Sequence, residues 1–145
     1  MSHESDIVLG AIWAVIDAAI ALAGYDDVDV IRGSRRTEDA SSLCVNVFWF
    51  TEMRRDSHYA LDNNTLQVVL WEANADDSGL SEEACGISEV IDDALNGQVI
   101  GVESGSGYYG ALSISRDGIS VPSPEGYDSR SKEYFRILRY AVIIG

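Results

Sequence analysis

The chain has 145 residues, of which 46% are hydrophobic and 23% charged, and its 24 acidic against 10 basic residues give a formal net charge of −14. This length and composition predict one soluble domain, over residues 1–145, that is long enough for a core of its own. Such acidity opposes binding to phosphate backbones and to anionic membranes, so we expect neither a free nucleic-acid-binding role nor a membrane partner.

The first predicted helix runs from about residue 4 to Ala23, and Gly24 follows it as a C-terminal stop. Its apolar run is long enough to be compared with an exported or membrane-spanning segment. However, acidic residues precede the run and Asp17 interrupts it near its middle. A signal peptide carries positive charge before its apolar run, and a membrane span requires about 20 apolar residues. We therefore interpret the segment as a helix of the folded domain.

Two apolar stripes at helical spacing run along this helix. One stripe comprises Val8, Ile12, Val15, Ala19 and Leu22, and the other comprises Leu9, Trp13, Ile16 and Ile20. Such a helix is either buried centrally in its own domain, or has one face on its own sheet and the other on a neighbouring subunit. For the second alternative, Trp13 and Ile20 are the candidate interface residues.

Three strands are predicted next, VDVIRG at residues 28–33, LCVNVFWF at 43–50 and TLQVVLWEA at 65–73. The second and third strands have few polar positions, so we expect both of their faces to be covered. The segment between these two strands is much longer than a hairpin turn and contains Arg54, Arg55 and His58. An oversized polar loop on a small domain is either disordered or functional.

The second predicted helix begins after Ser81, which can cap it, and ends at Asn96–Gly97. Its predicted buried stripe is Leu80, Ala84, Ile87, Ile91 and Leu95. A glycine-rich connector with at most a short strand follows, and two further strands are predicted at YYGALSISRDG and EYFRILRYAVIIG. The order α-β-β-β-α-β-β indicates an α+β domain, in which two helices pack on a largely antiparallel sheet of four to five strands.

The terminal strand carries two of the few basic residues, Arg136 and Arg139, on opposite faces near its start. From Tyr140 onward both faces are apolar, which predicts a central strand that is covered on both sides. Two interpretations of the arginines stay open. They pair with acids of their own subunit, or at least one reaches a carboxylate across a subunit interface, where a guanidinium can bond bidentately.

Two glycine- and acid-rich motifs resemble ligand sites but lack the required context. Gly105, Gly107 and Gly110 match G-x-G-x-x-G, yet a strand pattern follows them, whereas a dinucleotide site requires a helix there. Residues 74–79 begin like a calcium loop, but the twelfth position is Cys85 where a glutamate is needed. We therefore expect no cofactor and no metal.

The remaining reactive side chains form no catalytic constellation either. Cys44 and Cys85 lie in apolar periodic segments and provide neither a disulfide framework nor a metal-ligand spacing, as is typical of a reducing compartment. Neither of the two histidines, His3 and His58, has a cysteine or serine context that indicates an activated nucleophile. Adjacent acids such as Asp92–Asp93 are interpreted as solvated surface. We therefore expect that the protein is not an enzyme.

The predicted elements match a known family in order and character. The matching features are a first helix leading into VDVIRG, the strands LCVNVFWF and TLQVVLWEA with a long loop between them, the helix LSEEACGISEVIDDAL, and the end GYDSRSKEYFRILRYAVIIG. Together they resemble the tail terminator (tail completion) proteins of long-tailed, siphophage-type bacteriophages. Gly126, Tyr127, Asp128 and Tyr140 are the most specific matches. The apolar first helix and the glycine-rich connector at residues 101–110 depart from the family pattern.

The resemblance implies a homo-oligomer, a hexameric ring at the head-proximal end of the tail in the virion, assembled in the host cytoplasm. This ring would cap the tail tube, stop its polymerisation and provide the head-joining surface. Its partners would be the tail tube protein and the head–tail connector or stopper protein, and genome DNA would pass through the lumen without specific binding. Residues 51–64 would protrude and become ordered on contact with an adjacent ring, through Arg54 and Arg55. The alternatives are a tail tube or neck subunit, and a small cytoplasmic enzyme or ligand-binding domain.

Overall fold

The computed structural model describes residues 2–33, 43–51, 64–73, 79–104, 107–116, 126–130 and 132–144. The helices are α1 (Ser2–Leu22) and α2 (Glu82–Leu95). The strands are β1 (Val28–Arg32), β2 (Leu43–Thr51), β3 (Asn64–Ala73), β4 (Gln98–Ser104), β5 (Gly107–Arg116), β6 (Gly126–Asp128) and β7 (Glu133–Ile144).

The strands form one mostly antiparallel sheet. Its order is β1-β2-β3-β7-β5-β4, and β6 pairs with the start of β7. β1 pairs with β2 in parallel, and the other pairs are antiparallel. The predicted α+β class and the central position of the terminal strand are confirmed. Within the described residues the sheet has seven strands rather than four to five. The additional strands are β4, in the segment interpreted as a connector, and the short β6.

The sheet curls around its helices. α2 contacts β3 and β7 in the middle of the sheet, whereas α1 contacts α2 and strands from both ends of the sheet order, namely β1, β2 and β4. A helix can contact both ends of one sheet only if the sheet bends toward it. α1 therefore lies in the opening between the two sheet edges, with one side packed into the core.

The side of α1 that faces the core mixes residues from both predicted stripes. Its buried residues are Val8, Leu9, Ile12, Ile16 and Ile20, all at most 9% exposed. Leu22, the last residue of one predicted apolar stripe, is 91% exposed. Gly24 adopts a φ of +92° and ends the helix as predicted, with its N–H donating to the Ala21 carbonyl.

The N-terminus of α2 is held by a buried carboxylate of β3. Ser81 is the N-cap, as predicted, and its Oγ accepts a hydrogen bond from the Ala84 N–H at 3.1 Å. Glu72, only 8% exposed, accepts from the Ser81 N–H at 2.7 Å and from the Ser81 hydroxyl at 2.6 Å. The cap thus joins the helix to the sheet and gives the charged side chain two donors.

Replacing Glu72 with glutamine is expected to lower the free energy of unfolding by about 1–3 kcal/mol, because the amide group cannot accept both donors of Ser81. Urea denaturation monitored by circular dichroism measures the change. Glu89→Gln, on the exposed side of α2, removes the same charge without touching the cap and serves as the control. Equal stability of the two variants would contradict this role of Glu72.

The Gly-Tyr-Asp segment singled out by the family resemblance is the strand β6. A Cβ atom on Gly126 would lie 2.2 Å from Cζ of Phe135, so a larger residue would require that ring to move. Tyr127 packs against Tyr134 with ring centroids 4.8 Å apart, and Asp128 Oδ1 accepts from the Arg130 N–H at 2.9 Å. The segment is therefore a short strand that leads into a side-chain-capped turn.

Candidate protein interface

The sheet side that faces away from the helices is exposed at β4, β5 and β7. Val99, Ser113 and Ile143 form one row across these three strands, and the side chains that alternate with them, such as Leu112 and Val142, are buried in the core. Val99 is 69% and Ile143 47% exposed. We define the outer sheet face as Val99, Gly101, Ala111, Ser113, Ser115, Ala141 and Ile143.

The same side of the sheet is covered at β2 and β3. Cys44 and Asn46 of β2 are 1% and 0% exposed, and Val69 of β3 is 5% exposed. Because Val45 and Val47 on the other side of β2 are also buried, the prediction that this strand is covered on both faces is confirmed. The same prediction for the end of β7 is wrong, since Val142 is buried but Ile143 is exposed.

The outer sheet face bears no charged side chain, although the chain as a whole is strongly acidic. Arg139, two residues before Ala141 on the same side of β7, lies at its border and is exposed. Its Nε donates to Oε1 of Gln67 on β3 at 2.9 Å. Copies of an acidic chain repel one another, so a neutral apolar face beside a cation is a surface where two copies can approach.

α1 exposes a second apolar surface, on a different side of the molecule. We define the outer α1 face as Ala14, Asp17, Ala18, Ala21 and Leu22, all of which are exposed and follow helical spacing. The exposed residues of α2 are instead mainly acidic: Glu82, Glu83, Glu89 and Asp93. A helix whose solvent side is apolar is unusual on a surface that has charged residues in plenty.

The structure describes both residues of α1 that were predicted for an interface, and both pack within their own chain. Ile20 is 2% exposed in the chain's own core, so its assignment to an outer face is corrected. Trp13 is partly buried and its Nε1 donates to the Val30 carbonyl of β1 at 2.9 Å, so it too packs within its own chain. Both corrections have one cause, because the curled sheet covers α1 from two sides. Arg54, Arg55 and His58 lie outside the described residues.

The two arginines of the terminal strand point to opposite sides of the sheet, as alternation predicted. Arg136 faces α2, where its Nη1 donates to Ser88 Oγ at 3.1 Å in a partly buried position. Arg139 lies on the other side, exposed at the border of the outer sheet face. Of this pair, Arg139 is therefore the exposed one.

A polar cluster beneath α2 was missed by the sequence analysis. Asp92 Oδ1 accepts from the Tyr140 hydroxyl at 2.8 Å, and Asp92 Oδ2 forms an ion pair with Arg116. Tyr140 is 0% exposed, and the Arg116 N–H donates to Asn96 Oδ1 at 2.8 Å. The cluster joins α2 to β5 and β7. The missed signal is that Asp92 directly follows the buried Ile91 and lies one turn after the buried Ser88.

The pKa values of this cluster are shifted by its own contacts. Burial alone raises the pKa of Asp92, but hydrogen bonds from Arg116 and Tyr140 outweigh burial, so the pKa lies below its ordinary value. Burial and the hydrogen bond to Asp92 raise the pKa of Tyr140 far above its usual range. The hydrogen bond to Asp92 also raises the pKa of Arg116. The arrangement stabilises the charged carboxylate and the neutral phenol.

The described part of the chain has neither a metal-ligand cluster nor a membrane-spanning helix. No group of three or more histidine, cysteine, aspartate or glutamate side chains there could hold a metal ion. No helix in those residues is both long and apolar enough to cross a membrane.

Comparison with known proteins identifies the fold only. No family model matches the chain, and no curated protein matches it. Among solved structures, a protein that carries no functional name matches with a TM-score of 0.53 and 15% sequence identity, over 95% of this chain and 94% of that one. The two chains therefore share an α+β architecture over nearly their whole lengths.

Proposed function

We propose that the protein is a ring-forming structural subunit of a bacteriophage virion, and not an enzyme. Its ring caps the head-proximal end of the tail tube, stops tube polymerisation and provides the surface for head joining. The observation that carries this proposal is that an acidic chain exposes two neutral or nearly neutral apolar surfaces on different sides, the outer sheet face and the outer α1 face.

Two different surfaces are what a ring subunit requires. A two-fold dimer joins one surface to itself, whereas a ring joins one surface of each copy to another surface of the next. The described residues provide a candidate for each. The order of helices and strands, with a central terminal strand, also fits the tail terminator pattern that the sequence resembles.

The charge of the chain fits the passage of DNA through such a ring. Six copies with a net charge of −14 each carry −84 together, much of it at the surface. An acidic lumen repels phosphates and lets the genome pass without specific binding. The tail tube protein and the head–tail connector or stopper protein are then the partners, and the mature location is the virion.

The proposal predicts closed rings of the purified protein. Light scattering over a concentration series measures the mass, and negative-stain electron microscopy shows the shape. We expect six-fold rings that do not lengthen as the concentration is raised, because a terminator stops polymerisation. Tubes that lengthen would identify a tail tube subunit instead, and a monomer at every concentration would contradict a ring-forming role.

A further inference from the structure

We infer that neighbouring copies meet head to tail, with the outer sheet face of one copy packed on the outer α1 face of the next and Arg139 opposite Asp17. This inference rests on the proposed ring-forming function and adds the contact that builds the ring. The occupant of each apolar surface is therefore a second copy of this chain.

The two surfaces match in size. The outer α1 face extends over residues 14–22, which is about 12 Å along a helix axis. The outer sheet face extends about 13 Å along β7 from Arg139 to Ile143, and about 10 Å across the three strands. A patch of this size corresponds to the centre of an interface, where a few residues contribute most of the binding free energy.

The two surfaces also match in the size of their side chains. The alanines of the outer α1 face have short side chains, and the sheet face bears mainly glycine, alanine and serine. Short side chains on both sides allow the helix to lie close to the strands. Leu22 on the helix and Val99 and Ile143 on the sheet are the larger exposed apolar groups that such a contact would bury.

Charge selects this pairing over the symmetric ones. The charged side chain of the outer α1 face is Asp17, while the exposed Arg32 lies over Gly10, one turn before Ala14; the charged group at the border of the outer sheet face is the guanidinium of Arg139. A sheet face on a sheet face brings two cations together, and a helix face on a helix face brings two anions together. Only the pairing of unlike faces brings Asp17 opposite Arg139, and that pairing produces a ring or filament rather than a two-fold dimer.

The test reverses the two charges in separate variants. Arg139→Asp and Asp17→Arg are each expected to weaken self-association at least tenfold, or about 1.4 kcal/mol per contact, because like charges then meet in every contact. Each variant alone should remain folded and predominantly monomeric. An equimolar mixture should form rings again, since copies that alternate around an even-numbered ring place opposite charges at every contact. Sizing and electron microscopy measure each step, and circular dichroism confirms the fold.

A second pair of variants tests the apolar part of the contact without altering Arg139 or its bond to Gln67. Val99→Glu adds a charge to the outer sheet face, whereas Gln98→Glu adds the same charge one residue away on the other side of β4. The first should weaken association at least about tenfold and the second should leave it near that of the wild type.

The possible outcomes separate the two proposals. Wild-type rings that persist unchanged in Arg139→Asp, Asp17→Arg and Val99→Glu would overturn this contact while leaving the ring-forming function intact. Loss of rings in both charge variants without recovery in the mixture would also overturn the pairing of Arg139 with Asp17. A wild-type chain that never self-associates would instead contradict the proposed function itself.

Discussion

Replacing Ile16 with alanine is expected to lower the free energy of unfolding by about 2–5 kcal/mol, the usual cost of emptying a well-packed core site. Ile16 is 0% exposed at the centre of α1, which lies between the two edges of the curled sheet and α2. Elements on several sides of the helix cannot all shift to fill the cavity, so the loss should fall toward the upper part of that range. Urea denaturation with linear extrapolation measures the change.

Leu22→Ala is the matched control on the same helix. Leu22 is 91% exposed, so its truncation should change the free energy of unfolding by no more than about 0.5 kcal/mol. If both variants lost the same stability, α1 would not be packed as described. The pair also separates stability from assembly, because Leu22 belongs to the outer α1 face and Ile16 does not.

Asp92→Asn is expected to cost about 1–3 kcal/mol of stability at neutral pH, because the amide loses the ion pair with Arg116 and retains one acceptor for two donors. The loss should depend on pH. Contacts with Arg116 and Tyr140 lower the pKa of Asp92 in the folded chain below its ordinary value of 3.8. Its contribution is therefore complete above the unfolded pKa and disappears as the pH falls through the lower folded pKa.

The wild type and Asp92→Asn should accordingly converge in stability under acid conditions. Asp93→Asn is the control, because Asp93 is exposed on the same helix and its replacement removes an equal charge. Denaturation curves of the three proteins across the acid range test this. A constant difference between the wild type and Asp92→Asn at all pH values would contradict the role of the charged carboxylate.

The same cluster should also affect stability and tyrosine absorbance at alkaline pH. The raised pKa of Tyr140 means that its contribution is complete below the ordinary tyrosine pKa of 10.0 and is lost as the pH rises through the higher folded value. In folded protein, Tyr140→Phe should leave the tyrosinate absorbance change at moderately alkaline pH unaltered. In urea-unfolded protein, the variant should titrate one tyrosine fewer of the seven in the chain.

The parts of the fold that follow from local chemistry were predictable. The Ser81 cap, the stop at Gly24 and the alternation of faces along β7 depend on residues close in sequence. Sheet order could not be predicted, since β3 and β7 are joined by residue pairs such as Val69 and Ile137, far apart along the chain. Periodicity likewise shows that α1 is apolar all round, but not which side meets the curled sheet.

The candidate interface was predictable only in part. The alternation of side chains along the terminal strand predicted that Arg139 and Arg136 lie on opposite faces. The outer sheet face itself depends on β4, which was interpreted as part of a glycine-rich connector, and on register across three strands. Asp92 was missed because a pair of neighbouring acids gives no sign of which one turns inward. Its two partners, Arg116 and Tyr140, are adjacent only in the folded sheet, where they pair across β5 and β7.

The central place of β7 in the sheet has a consequence for how the chain reaches its native state. β7 follows β3, β5 and β6 in sequence and pairs with all three. Until it docks, β3 and β5 have no common neighbour and their backbone donors and acceptors on that side are unpaired. Closing the sheet requires contacts between distant residues, which slows folding. A nascent chain therefore passes through a stage in which open strand edges can pair with other chains.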